Sequence, residues 1–420
     1  MKSLINFCGH DGIISHYAGV GTIVRRYIEV ISYLLNIKNI DYHINMFTLE
    51  FNKDSMGYSE KVWSEHNNLP NTTIYICSNN TNGKTSFGNI YNWRIASSNV
   101  AKIINNIDFT NYDYVITITN DTPFAGVLEL MKESENSIKV WIPHSTGKIY
   151  NEDMSLSEEN QTQNERIEWE QNAINYINSH ENNYLISTGV YIGNHIINDY
   201  SLKPSKNINI INGELLYRDN VYEENNRMKE ILLELEKYDS IIMSLGRAER
   251  YKNLDKTMLL GKKLGIKPIV ITQQYFENQP IVSKYKELAK ITNTNLYVDE
   301  PFSLPQYIVR HFSKKMIMLI PSEREIFGLV INEMRRFNKD NVLIVANDRG
   351  GLHEQINDGI DGVLVDLDNI EASAKKVSKY FNFETMKKLN SEGQKRLLND
   401  YDLVKNFDAF FRKVLGEAYE

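Results

Sequence analysis

Residues 316–333 read MIMLIPSEREIFGLVINE. The first five are apolar without a break and stop at Pro321, which marks a short strand buried on both faces. A helix begins near Gly328, and the loop between carries Ser322, Glu323, Arg324 and Glu325. A strand buried on both faces, a polar loop and a helix form the repeating unit of a parallel sheet with helices on either side.

The same alternation extends in both directions. Toward the C-terminus, short β-rich runs at 342–346 and 362–365 predict two more strands. Toward the N-terminus, runs at 241–245, 267–272 and 295–298 complete a second series. An earlier series is predicted at 4–8, 42–48, 74–77, 114–119, 138–142 and 184–188. After the first of these, Ile23, Tyr27, Val30 and Leu34 repeat at helical spacing, as do Val24, Ile28, Ile31 and Leu35, so this helix is buried over a broad face. Lys203-Pro204-Ser205, the run 208–211, Asn212-Gly213 and a polar acidic stretch reaching Lys237 read as a hinge. Leu403, Phe407, Phe410, Phe411 and Val414 mark an amphipathic last helix. The predicted fold is α/β, with two doubly wound Rossmann-like domains at 1–211 and 212–399 and a last helical segment, 400–420. Ligands in such sheets bind outside the carboxyl ends of the strands.

The chain has 420 residues, more than one ordinary core holds and enough for two domains of about 200 each. Apolar residues make up 42% and charged residues 24%, as in a soluble globular protein. The net charge of −7 argues against nucleic acid as the main partner, since phosphate backbones need a basic field. Two cysteines, Cys8 and Cys77, exclude a disulfide framework and a cysteine metal cage, and both sit in apolar runs. No apolar run reaches the roughly 18 residues of a spanning helix. The start lacks a signal-peptide pattern, so the expected compartment is the cytoplasm.

Candidate site residues cluster in the second series. Gly246-Arg247 ends the strand 241–245, and Lys252 follows before a helix from Asn253. A guanidinium leaving a buried strand grips phosphate in a forked geometry, and Lys252 adds a point charge. Downstream, Gly328 at a helix start lets backbone N–H groups approach an anion such as a diphosphate. Glu325, just ahead of that helix, is placed for sugar hydroxyls, and Glu333 for the two hydroxyls of a ribose. The order matches the length of a nucleotide sugar. Each part alone is also what a solvated loop or helix start looks like. Arg25-Arg26 on the first helix reads as a solvated edge, or as a contact for an anionic lipid or acceptor.

Pro321-Ser322-x-x-Glu325-x-Phe327-Gly328-Leu329-x-x-x-Glu333, preceded by Gly246-Arg247 and Lys252, resembles the family 4 glycosyltransferases of the GT-B fold. Gly350-Gly351-Leu352-His353-Glu354 and Gly362-Val363-Leu364-Val365 continue the resemblance across the second domain. It implies a retaining, metal-independent transfer of a hexosyl group from a nucleoside-diphosphate sugar, expected to be UDP-linked, to a hydroxyl acceptor. No further cofactor is implied. Arg247 and Lys252 would hold the diphosphate, Glu325 the donor sugar and Glu333 the ribose. Amides of Phe327, Gly328 and Leu329 would cradle phosphate, and the loop from Val298 would flank the base. Gly19-Val20-Gly21 resembles the family's glycine loop, although as a dinucleotide fingerprint it lacks a third glycine and has Val24 instead. His144, after the strand 138–142, stands where the family has a histidine near the donor sugar; alone it is a strand-end histidine. Glu214 stands where the family's hinge is apolar, and the resemblance implies that the segment 400–420 returns to the first domain. A lipid-linked acceptor would bring the protein to the inner face of a membrane. The alternative is a catalytically silent GT-B module that scaffolds a partner transferase.

Overall fold

The computed structural model describes all residues except 17, 56, 86, 152–156, 218–223, 275–278 and 420. The chain divides into two compact units, Met1–Leu215 with Leu403–Glu420, and Leu216–Asp402.

The first unit is built on a seven-stranded sheet of β1 (Lys2–Cys8), β2 (Asp41–Leu49), β3 (Thr72–Cys77), β4 (Tyr114–Asn120), β5 (Ser137–Ile142), β6 (Asn183–Ser187) and β7 (Asn207–Asn209). The order is β3-β2-β1-β4-β5-β6-β7, and every pairing is parallel. The second unit holds β8 (Ser240–Arg247), β9 (Lys267–Gln273), β10 (Asn295–Val298), β11 (Lys315–Ile320), β12 (Val342–Asn347) and β13 (Val363–Val365). Their order is β10-β9-β8-β11-β12-β13, again all parallel. Central strands such as β11 are buried almost throughout, as the unbroken apolar run requires. Each strand order reverses once, between β1 and β4 in the first sheet and between β8 and β11 in the second. Those reversals open the crevices where α/β sheets take ligands.

Six helices matter below: α1 (Gly19–Ile37), α2 (Ser157–Ser179), α3 (Leu254–Leu264), α4 (Leu329–Phe337), α5 (Phe383–Asp400) and α6 (Leu403–Leu415). On α1 both predicted stripes are buried, Ile23, Tyr27, Val30 and Leu34 together with Val24, Ile28, Ile31 and Leu35. Cys8 and Cys77 are buried and free, and burial raises both thiols. Among the described residues no helix is long and apolar enough to cross a membrane.

Two expectations need correcting. Gly19-Val20-Gly21 does not form a loop ahead of the helix, because α1 starts at Gly19 and the three residues are its first turn. Arg26 is not a solvated edge. Its guanidinium is buried 2.8 Å from the fully buried Glu214 and donates to the carbonyl of Gly213, so the unusual hinge glutamate and the unusual helix arginine account for each other. Arg25 does lie at the surface, paired to Glu65. The two units divide after Leu215 and after Asp402. Glu214 is anchored to α1, whereas Tyr401 still packs within the second unit, its hydroxyl on the carbonyl of Glu354. Part of the polar stretch before Lys237, residues 218–223, lies outside the described residues.

Candidate active site

In the second unit the crevice between β8 and β11 gathers the predicted residues of two loops. The strand β8 ends at Arg247, and a single 3-10 turn, Arg250–Lys252, follows. Asn253 takes a left-handed conformation (φ 49°) as it turns the chain into α3. Across the crevice the loop after β11 carries Glu325. The Lys252 ammonium lies 2.8 Å from a Glu325 carboxylate oxygen, with both side chains about one-fifth exposed. This pair spans the point where the strand order reverses. Arg247 is half-buried, bonded to the Tyr251 hydroxyl at 3.0 Å and 3.3 Å from Glu249. A Cβ on Gly246 would lie 3.6 Å from the Lys252 stem, an ordinary contact. Packing therefore does not demand this glycine, which leaves the backbone bare beside Lys252.

Gly328 has φ 79° and caps α4 without a side-chain partner. A side chain there would be strained, and its Cβ would meet Leu352 at 2.7 Å. The first amides of α4 are thus presented without side-chain cover, with Phe327 buried beneath and Leu329 partly exposed. Glu333 is half-buried on the second turn of α4. Val298 ends β10 on the far side of β9, half-buried, ahead of Asp299, which has φ 58°.

What holds this loop is backbone geometry. Glu323 donates its amide to the carbonyl of Tyr251 at 2.8 Å, and Gly351 donates to the carbonyl of Glu325 at 2.6 Å. A Cβ at Gly350 would fall 2.6 Å from that carbonyl, and one at Gly351 only 1.9 Å from the carbonyl of Ile326. The Gly-Gly pair therefore serves as a bare surface against which the Glu325 loop is pressed. Buried Asn347 adds a side-chain bond to the carbonyl of Ser322 and accepts from the Leu367 amide, both at 3.3 Å.

The first unit has a comparable crevice between β1 and β4. His10 follows β1 and Asp121 follows β4, and they meet at 3.1 Å with both side chains buried. Asp121 also accepts from the Thr122 amide, in a left-handed backbone (φ 64°). Burial opposes its ionisation, but the bond and charge of His10, helped by His144 and Arg166, hold its carboxyl well below the usual range. His144, after β5, is partly exposed and bonded through Nε2 to Asn120 Oδ1 at 3.2 Å. Burial pushes its pKa down to about 4, against the pull of Asp121, so the ring is neutral at pH 7. With Nε2 donating to Asn120, Nδ1 carries the lone pair. Behind it, fully buried Glu170 on α2 binds Arg166, the Thr122 and Tyr200 hydroxyls and the Gly147 amide, while Arg166 reaches Ser145.

Sequence reading missed His10, Asp121 and Glu170. The first two are polar residues directly after the two strands that flank the reversal, a signal available once strand order is known. Glu170 lies mid-helix and nothing local marks it. The first turn of α1 is fastened to the same crevice: Asp11 accepts from the Gly12 and Ala18 amides and the Ser15 hydroxyl. Gly21 abuts this carboxylate so closely that a Cβ would lie 2.5 Å from it.

Residues 227–396 match the family model described as glycosyl transferases group 1. The matched residues lie within the second unit and make it similar to that family. No curated protein sequence matches the chain significantly. Solved structures resemble the chain over its length. A sucrose-phosphate synthase from Thermosynechococcus elongatus has a TM-score of 0.74 at 15% identity, covering 98% of this chain and 99% of that one. Anabaena HepE, solved in complex with UDP and glucose, scores 0.68 at 14% identity with the same coverage. An α,α-trehalose-phosphate synthase (UDP-forming) from Burkholderia vietnamiensis scores 0.67 at 10% identity over 98% and 99%. At these identities the likeness establishes the fold, which is that of the GT-B glycosyltransferases.

Proposed function

We propose that this glycosyltransferase moves a hexosyl group from a nucleoside-diphosphate sugar, UDP-linked, to a hydroxyl of a glycan, lipid-linked or small-molecule acceptor. The reaction proceeds with retention and without a metal. The observation that carries the reading is the Lys252–Glu325 pair across the β8–β11 reversal, beside the bare helix start at Gly328 and the guanidinium of Arg247. Two cations and a set of helix amides supply charge for a departing diphosphate. Glu325 contacts donor-sugar hydroxyls while it fixes Lys252, and Glu333 takes the ribose. The bare backbone at Gly246 lets a phosphate close on Lys252, and Val298 flanks the base. Crystals of a similar protein with UDP and glucose favour UDP as the carrier.

In the transfer, the bond between the anomeric carbon and the β-phosphate oxygen breaks, and its electron pair leaves on the diphosphate. The acceptor oxygen bonds to the anomeric carbon on the same face, and its proton passes to the leaving phosphate oxygen. In the first unit the resemblance assigns a part to His144, whose neutral ring keeps a lone pair on Nδ1, and to the first turn of α1, Gly19 to Gly21. No cofactor beyond the sugar nucleotide takes part.

The test is incubation with a panel of nucleotide sugars, measuring nucleotide release. Slow hydrolysis of one donor, lost in Lys252→Ala and Glu325→Ala variants that still fold, supports the reading. Tight donor binding without turnover in crude acceptor mixtures replaces it with the scaffold function. Absence of binding to every nucleotide sugar overturns both.

A further inference from the structure

Residues 375–388 read KKVSKYFNFETMKK. Five lysines and one glutamate stand in this stretch, in a chain whose net charge is −7. Three aromatic residues, Tyr380, Phe381 and Phe383, lie among the lysines. The stretch covers the end of the helix Ile370–Tyr380, the turn at 381–382 and the first turns of α5.

The inner faces of both helices are spent on the core. Ala374 and Val377 on one, and Met386 and Leu389 on the other, are buried with β11, β12 and β13 side chains. The basic residues point away from it. Lys375, Lys379, Lys387 and Lys388 are all exposed. Lys376 is the one that is tied down, to Asp358 at 2.6 Å. Phe383, at the tip between the helices, is 57% exposed. Ile360, also 57% exposed, sits on the loop whose Gly359 abuts the Tyr380 hydroxyl. Two large apolar side chains are thus exposed on the same stretch of surface as the lysines.

The position in the fold matters as much as the composition. The helix Ile370–Tyr380 runs back from the carboxyl end of β13, so its own end lies at the amino edge of the sheet. The ammonium of Lys315, first residue of β11, sits over the Phe381 ring at 4.7 Å, which fixes the same edge. Lys252 and Glu325 occupy the opposite edge. A surface engaged at this patch leaves the donor crevice of the unit uncovered.

We propose that residues 375–388, with Ile360, form a docking surface for an anionic lipid bilayer. Lysines near such a surface each gain about 1 kcal/mol, roughly five-fold in binding. Exposed Phe383 and Ile360 add burial at the headgroup boundary. The apolar tips favour a bilayer over a nucleic acid, which would use the lysines and gain nothing from Ile360. This inference stands apart from the donor site and does not depend on it.

The experiment is co-sedimentation of the full chain with vesicles of phosphatidylcholine alone and with vesicles in which part of it is replaced by phosphatidylglycerol, which gives the surface a negative potential. Binding is expected with the anionic vesicles only, falling steeply with salt. Replacing Lys379, Lys387 and Lys388 by Glu should weaken it at least about a hundred-fold. Phe383→Ser should weaken it several-fold while donor hydrolysis and thermal unfolding stay unchanged. Equal sedimentation with neutral vesicles, or binding untouched by the lysine changes, overturns the proposal. Retention on a nucleic acid that exceeds vesicle binding and ignores Phe383→Ser also overturns it, in favour of a polyanion site.

Discussion

At the scale of single residues, the acid and base that the sequence marked separately turn out to be one unit. Lys252 and Glu325 are 73 positions apart and 2.8 Å from each other, which no spacing rule reveals; only the strand order brings their loops together. On the proposed reading, removing the Lys252 ammonium takes away a fixed charge at the leaving phosphate, and losses of about 10²–10³ in kcat accompany the loss of a comparable electrostatic group. Lys252→Ala should therefore cut donor turnover by that order. Glu325→Gln should lower turnover with less effect on the binding of the nucleotide diphosphate alone, which titration of each variant would separate. His144 offers a pH test. Its folded pKa is about 4 against an ordinary 6.5, so the unfolded chain binds the proton better. Stability from this residue is complete above pH 6.5 and is lost as the pH falls toward 4. Chemical denaturation across that window should show a gentler slope for His144→Gln than for the parent. Asp121, also depressed, loses its contribution in the same direction, at lower pH.

At the scale of elements, the sheet strands were legible because parallel strands buried on both faces are written as apolar runs. The Gly350-Gly351 pair was legible only as a motif. Its physical meaning appears once the Ile326 carbonyl is seen where a Gly351 Cβ would be. The same holds at Gly21, whose bareness makes room for the Asp11 carboxylate. Gly351→Ala should push the Glu325 loop off its seat while the strands, which it does not touch, remain. The expected result is a loss of donor binding of ten-fold or more (about 1.4 kcal/mol for each ten-fold) with far-ultraviolet circular dichroism unchanged. Retention of wild-type affinity would show that the loop is seated by Asn347 and Tyr251 alone.

At the scale of the whole molecule, the chain passes between units after Leu215 and after Asp402, and residues beside both passages are fastened together within the first unit. Leu403 donates its amide to the carbonyl of Glu214 at 3.1 Å, and Asn406 donates to the carbonyl of Ile211 at 2.7 Å. The Phe407 ring packs on Tyr27, whose hydroxyl bonds to Asn212. At the centre lies the Arg26–Glu214 pair, two charges taken out of water. The last helix could be read from its apolar spacing and its return only from the resemblance, whereas the ion pair could not be read at all, because a glutamate after a glycine and an arginine on a helix each look solvated. A buried pair contributes little net stability over an apolar one, but breaking it strands a charge at a cost of about 3–5 kcal/mol. Glu214→Ala should therefore lower the unfolding transition of the first unit by that order, and Arg26→Met alone should do similar harm. The double variant Arg26→Met with Glu214→Leu should recover most of the loss. Urea unfolding followed by tryptophan fluorescence distinguishes the cases, since Trp93 and Trp141 are buried in this unit. If the double variant is as unstable as the sum of the singles, the pair's value lies in its bonds to the hinge backbone at Gly213 rather than in mutual neutralisation.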